Sequence, residues 1–290
     1  MLNRRWFGKQ LATSLPLVTI LTSKIRGQQQ PASPGGPPAG RGPMDGSPVG
    51  DMLPGQKWRV HDRTRPQPRQ VVSGQPIPTP SAPSDAIVLF DGKDLSKWSS
   101  GGRDGATGVP RWRVESGYVE LVPGAGSLVT KESFGDIQLH LEWTTPTGAD
   151  ASRVGQFRGN SGVILMGRYE VQVLSGYSNP TYPDGGAGAI YGLYPPLVNP
   201  CLPESQWNSY DIVFEAPRFD GDKLNQPAFL TLFFNGLIVQ HRVELLGSTS
   251  REPIAAYTPH PPELPLTLQG HAGPARFRNI WVRRLRGYDA

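Results

Sequence analysis

From residue 86 onward, apolar and polar positions alternate in short runs and never settle into a long helical stripe with caps. IVLF, WRVESGYVEL, SLVT, IQLHLEWT, GVILM, YEVQVL, YDIVFEA, AFLTLFFNGLIVQ, LTL and FRNIWVRRL are rich in β-branched and aromatic residues. Gly, Pro, Asn and Asp punctuate them, which predicts strands joined by tight turns. Ten or more strands within about 205 residues predict a single all-β domain over 86–290, a sandwich or a barrel. Asn235-Gly236, set between apolar flanks, predicts a two-residue hairpin. Alternation also assigns faces. In YEVQVL, Tyr169, Val171 and Val173 point one way, and Glu170, Gln172 and Leu174 the other. In FRNIWVRRL the same rule sets Phe277, Asn279 and Trp281 against Arg278, Ile280 and Val282.

Upstream the texture differs. Residues 31–85 hold 13 of the 31 prolines and too few apolar residues to offset the entropy of ordering the backbone. That stretch is read as a floppy Pro/Gly-rich tether. If its central part, 52–70, lies on the domain, Trp58 is the expected anchor. Residues 1–30 begin with charge, carry Arg4-Arg5 before Trp6-Phe7, and continue into a modest apolar run too short to span a bilayer. They are read as a twin-arginine-type export signal or N-terminal anchor. The expected location is bacterial periplasm, envelope or exterior, with no further transmembrane segment.

Charge, once located, removes one class of partner. The net +5 of the 290-residue chain divides into +7 over residues 1–85 and −2 over 86–290. The basicity belongs to leader and tether, so no broad phosphate-binding face, and no nucleic acid, is expected. One cysteine excludes a disulfide framework and a multi-cysteine metal knuckle. Cys201 has no base beside it in sequence and is read as incidental.

No G-x-S-x-G, H-E-x-x-H, phosphate loop or dinucleotide fingerprint occurs, and no histidine pair has metal-ligand spacing. The chemistry-bearing groups fall in three patches, at 158–173, 182–192 and 268–279. Glu170 and Gln172 share a strand face, where a carboxyl and an amide side by side can grip sugar hydroxyls or move a proton; a solvent face or salt bridge is the plain alternative. His271 follows a β run in a Gly-rich turn and is either a base or a surface histidine. Arg276 and Arg278 would suit an oxyanion, or a sheet edge. Asn160 and Asp184 are turn formers, ligand contacts or both. Most tryptophans sit in strand-like stretches and are read as core, whereas Tyr177, Tyr182, Tyr191 and Tyr194 lie in Gly/Pro-rich loops suited to stacking.

LFDGKDLSKW at 89–98, GNSGVILMGRYEVQVL at 159–174, GAIYGLYPPLVN at 188–199, WNSYDIVFEAPRFD at 207–220, NGLIVQHRVEL at 235–245 and LQGHAGPARFRNIWVRRL at 268–285 together resemble the 3-keto-disaccharide hydrolase domain family. The resemblance covers nearly all of 86–290. It implies a concanavalin A-like jelly roll and cleavage of glycosides already oxidised to a ketone at C3. The substrate would be an oxidised saccharide, and an upstream sugar 3-dehydrogenase would be the functional partner. It further implies that Asn160, Glu170, Gln172, Tyr191, Gln269, His271 and Arg276 occupy the family's polar cleft positions. Glu170, His271 and Arg276 are the expected catalytic residues; Asn160, Gln172, Asp184, Tyr191 and Gln269 are the expected substrate contacts. No cofactor is evident and metal ligands are unassigned, with a divalent cation left open. Three positions depart from the family pattern: Gly270 and Ser175 stand where Asp is usual, and Ala272 where Gly is. A non-catalytic carbohydrate-binding or adhesion module on the same fold, and an envelope scaffold docking through the Pro-rich stretch, are the alternatives.

Overall fold

The computed structural model describes residues 50–74, 81–101, 107–147, 153–250, 254–271 and 273–287. The export signal expected in residues 1–30, the first part of the tether and Ala272 lie outside the described residues.

The described chain forms β1 (Ile87–Phe90), β2 (Trp98–Gly101), β3 (Thr107–Gly108), β4 (Arg113–Glu115), β5 (Tyr118–Glu120), β6 (Ser127–Phe134), β7 (Ile137–Thr144) and β8 (Ser161–Leu165). It continues through β9 (Tyr169–Val173), β10 (Asn208–Glu215), β11 (Arg218–Asp220), β12 (Lys223–Gln226), β13 (Phe229–Phe234), β14 (Leu237–Glu244), β15 (Leu264–Leu268) and β16 (Arg276–Arg284). One sheet runs β14-β13-β10-β7-β16-β5-β4, with β1 also paired to β16. The second runs β3-β2-β6-β15-β8-β9, and β11–β12 is a separate hairpin. Crossing of the chain between two antiparallel sheets makes the expected jelly-roll sandwich.

Alternation places the core between the sheets. Leu139, Leu141 and Trp143 of β7, Tyr210, Ile212 and Phe214 of β10, and Val163, Tyr169, Val171 and Val173 of β8–β9 are all buried. Tyr169 meets Phe214 across the sandwich with ring centroids 5.6 Å apart. The Tyr210 hydroxyl donates to the Gln172 carbonyl at 2.7 Å, so its polar tip is satisfied within the apolar layer. Each such large side chain contributes about 1.5–3 kcal/mol by burial. Asn235 and Gly236 have φ of 50° and 78° and close the β13–β14 hairpin, as the dipeptide predicts.

Two expectations change. Strict alternation fails in β16: Phe277, Ile280 and Val282 all reach the core. The ladder to β7 slips between Arg278 and Trp281, and Asn279 has φ of 47°. This is a β-bulge, which resets the phase of every residue after it. The second change concerns the tether. Residues 50–74 are folded onto the domain through Leu53, Val60 and His61, each at most 1% exposed. Backbone bonds from Val71 N–H to the Asn199 carbonyl and from Asn199 N–H to the Arg69 carbonyl anchor its far end. Trp58, the expected anchor, is only half-buried. Composition misleads here because docking needs three well-placed side chains, not a high apolar average. Among the described residues no helix is long and apolar enough to cross a membrane.

Candidate functional site

The site grows from the outer face of the β8–β9 hairpin. Since Tyr169, Val171 and Val173 fill the core, Glu170 and Gln172 project from the opposite face of the sheet. Gly162 of β8 pairs with Gln172 and Ile164 with Glu170. The Glu170 side chain leans diagonally over Gly162: a Cβ there would lie 2.2 Å from Oε1. Only glycine leaves room for the carboxyl. No hydrogen bond reaches that carboxyl among the described residues, and Glu170 is 8% exposed. Burial alone pushes its pKa up to about 8.

Beside it lies an amide network. Gln156, in the short 3₁₀ turn Gly155–Phe157, donates Nε2 to the Gly185 carbonyl at 2.7 Å and to Thr181 Oγ1 at 3.0 Å. A carbonyl can only accept, so this fixes the orientation of the Gln156 amide. Its Oε1 then accepts from Asn160 Nδ2 at 3.1 Å and from Gln172 Nε2 at 3.0 Å. Gln172 must therefore present Oε1 away from the network, and that buried oxygen has no partner among the described residues. An unpartnered acceptor and an unpaired carboxyl thus stand on one strand face, where each would otherwise be costly.

The free edge of β9 is covered by residues 188–191. Gln172 N–H donates to the Ala189 carbonyl, Gly188 N–H to the Gln172 carbonyl, and Tyr191 N–H to the Glu170 carbonyl at 3.1 Å. Val171 and Ile190 form the bridge, which sets Tyr191 directly across from Glu170. Tyr191 and Tyr182 join through their hydroxyls at 2.8 Å. Tyr182 is itself 1% exposed, a core residue and not the stacking platform expected of a loop tyrosine. Asp184 also departs from expectation. It is fully buried and held by His61, whose N–H donates to Oδ2 at 2.9 Å. A substrate cannot reach it, because the segment read as tether closes over it.

Gln269 is joined to the same face, its N–H donating to the Gly162 carbonyl at 2.8 Å. His271 follows two residues later, exposed at the rim. Between them, Gly270 runs against the backbone of the loop before β6: a Cβ would meet the Gly126 carbonyl oxygen at 2.1 Å. An aspartate cannot stand at 270 on this backbone. At the other departure, Ser175 donates Oγ to Glu204 at 2.5 Å and Arg158 donates Nε at 2.7 Å. Residue 204 therefore supplies a carboxylate beside position 175. Burial would raise the Glu204 pKa, but the bonds from Arg158 and Ser175 outweigh it and lower it.

Arg276 does not join this group. It belongs to β16 in the other sheet, and with Phe277 in the core it points to that sheet's outer face. There it donates to Glu120 and lies over the Tyr118 ring. Sequence proximity to Gln269 and His271 misleads because residues 269–275 carry the chain from one sheet to the other. The same far face holds a charge network of which sequence reading singled out only Arg278. His140 bonds Asp211 at 2.7 Å and stacks on Trp281, while Arg278 and Asn279 donate to Glu142. Burial would lower the His140 imidazole, yet Asp211 and Glu142 carry it up to about 9. Burial would raise Glu142, and its three hydrogen-bonding neighbours bring it down to about 2. Both groups are therefore charged at neutral pH and paired within the network.

Cys201 is buried, and burial pushes its thiol up to about 12, which leaves no nucleophilic thiolate at neutral pH. Among the described residues no group of three or more His, Cys, Asp or Glu is gathered to hold a metal ion. The cavity between Gln67, Leu174, Asn179 and Asn199 holds about 40 Å³, far below the size of a sugar site. Gln156, Glu204 and His61 are the neighbours of the site that sequence reading missed. Gln156 alone had a local signal, lying just before the quoted 158–173 patch.

A family model described as a 3-keto-alpha-glucoside-1,2-lyase-like domain matches residues 85–283. A crystal structure from Parabacteroides distasonis, of a protein named as a glycosyl hydrolase, is 42% identical, covers 71% of this chain and 86% of its own, and has a TM-score of 0.66. A second protein of that organism, named likewise, is 18% identical over 70% of this chain and 94% of its own, with a TM-score of 0.51; that likeness is one of fold. No curated protein matches the chain. With the jelly roll and the matched span agreeing over nearly the whole β domain, the chain belongs to the 3-keto-α-glucoside-1,2-lyase-like family of carbohydrate-active proteins.

Proposed function

We propose that this protein cleaves 3-keto-glycosides by proton abstraction at C2, with Glu170 as the base. The observation that carries the reading is the buried, unpaired Glu170 carboxyl beside the orphaned Gln172 Oε1. A C3 ketone acidifies the C2 proton. Transfer of that proton to Glu170 leaves an enolate, whose electrons form the C1–C2 double bond as the C1–O bond breaks. The leaving oxygen takes a proton, and the product is a 2-hydroxy enone. Addition of water across C1–C2 completes net hydrolysis. The paired carboxylates of ordinary glycosidases are not required.

A base with a raised pKa is matched to a weakly acidic carbon. Tyr191 stands across from the base, Gln172 lies beside it on the same strand face, and Gln269 borders that face. His271, exposed at the rim, is the candidate acid for the leaving oxygen. Arg276, on the far face, has no part in the scheme. The ketone must be made beforehand, so a sugar 3-dehydrogenase class of activity precedes this one. The test is turnover of p-nitrophenyl 3-keto-α-glucoside by the full chain. Glu170→Gln should lose about 10²–10⁴-fold in kcat. Unchanged turnover in that variant would refute the assignment, and saturable binding without product would favour a sugar-binding module.

A further inference from the structure

We propose that His61, supplied by the segment upstream of the family domain, is a positioning residue that holds Tyr191 in place beside Glu170. The role rests on the reading of Glu170 as base, but its structural core can be tested apart from it. Residues 50–74 lie outside the span matched by the family, 85–283, and would pass for linker by composition.

The contacts are those of a built element. His61 is fully buried. Its backbone N–H donates to Asp184 Oδ2 at 2.9 Å, and its Nδ1 lies 3.5 Å from the same oxygen. Its ring packs on Tyr182 at 4.0 Å and on Tyr191 at 5.2 Å between centroids. The far side of the same loop is tied in too. Asp184 accepts the Gly192 N–H on its backbone carbonyl at 2.9 Å. Gly192, at φ +73°, leaves no side chain between itself and the segment: a Cβ would lie 3.7 Å from both His61 Cε1 and Val60 Cγ1. Gln67 Nε2 adds a bond to the Thr181 carbonyl at 2.6 Å.

The path from segment to site is therefore short. His61 fixes Asp184 and the Tyr182–Tyr191 pair, and Tyr191 N–H donates to the Glu170 carbonyl. Tyr191 is half-buried across from Glu170; His61, wholly enclosed, acts only through it. A displacement of about 1 Å at a substrate-positioning group can lower turnover about 10²-fold.

The experiment uses the full chain and p-nitrophenyl 3-keto-α-glucoside. It compares His61→Leu, which keeps volume, His61→Phe, which keeps a ring against Tyr182 and Tyr191, and Val60→Ala, a packing loss in the same segment. His61→Leu should lower kcat 10–100-fold, beyond the loss in Val60→Ala at a comparable urea midpoint, and His61→Phe should recover to within about threefold of wild type. Equal activities in His61→Leu and His61→Phe, or a loss no greater than in Val60→Ala, overturn the proposal. If the wild-type chain leaves the substrate untouched, the proposed chemistry fails, and hydrogen exchange at the Tyr191 amide decides the positioning. Exchange about tenfold faster in His61→Leu than in Val60→Ala supports it; equal rates overturn it.

Discussion

Glu170→Gln should make the protein less active and, above neutral pH, more stable. The unfolded glutamate ionises near 4.5, while the folded one keeps its proton to about 8. Between those values the folded state binds more protons than the unfolded state, so stability falls as pH rises through that window. The difference of about 3.5 units, at 1.36 kcal/mol each, amounts to about 5 kcal/mol above pH 8 and about 3 kcal/mol at pH 7. Glutamine keeps the shape and removes the titration, but its buried amide costs about 1–3 kcal/mol at every pH. The two stability curves therefore cross, between about pH 5 and 7. At pH 9 the variant should be ahead by about 2–4 kcal/mol, or about 4–16 °C in Tm for a domain of this size. Urea midpoints of both proteins at pH 5, 6, 7, 8 and 9 measure this directly. Parallel curves would show that the carboxyl ionises normally in the fold, and the argument for a poised base would go with them.

The same carboxyl should govern rate: kcat/KM should rise with pH through about 8, since a base must be unprotonated to act, and a pH–rate profile flat from 6 to 9 contradicts this. Gly162→Ala should push the Glu170 side chain aside, because the new Cβ meets its Oε1 at 2.2 Å and its Cδ and Cγ at 2.9 Å. Its urea midpoint should stay near wild type while kcat/KM falls about 100-fold; full activity would mean the carboxyl need not lie there. On the far face, Asp211→Asn removes the bond that helps hold His140 up at about 9. NMR titration should find the imidazole pKa lowered. The wild-type contribution to stability, complete below about 6.5 and fading as pH rises through 9, should fade earlier in the variant.

The face shared by Glu170 and Gln172 was legible because one physical rule suffices to see it. In a strand of period two, Glu170 and Gln172 must share a face, and apolar Tyr169, Val171 and Val173 say which face goes to the core. The grouping failed where the rule's premises failed. Asn279 enters a bulge, so the alternation read through FRNIWVRRL is out of phase after Arg278. Arg276 follows Gln269 and His271 closely in sequence, yet a change of sheet lies between them.

What the sequence determined by itself was local: strand character, the Asn235-Gly236 turn, the face shared by Glu170 and Gln172, and the separation of a basic N-terminal stretch from a near-neutral domain. These follow from backbone sterics and side-chain period, which act over a few residues. Tertiary structure decided the rest. It set Glu170 over the one residue that leaves room for it, turned Gln172 Oε1 away from Gln156, brought Glu204 to Ser175, and buried Asp184 beneath His61. His61 bonds a residue 123 positions away, and no local pattern encodes such a contact. Desolvation, which raises Glu170, depends on everything packed around it, and so exists only once the chain has folded.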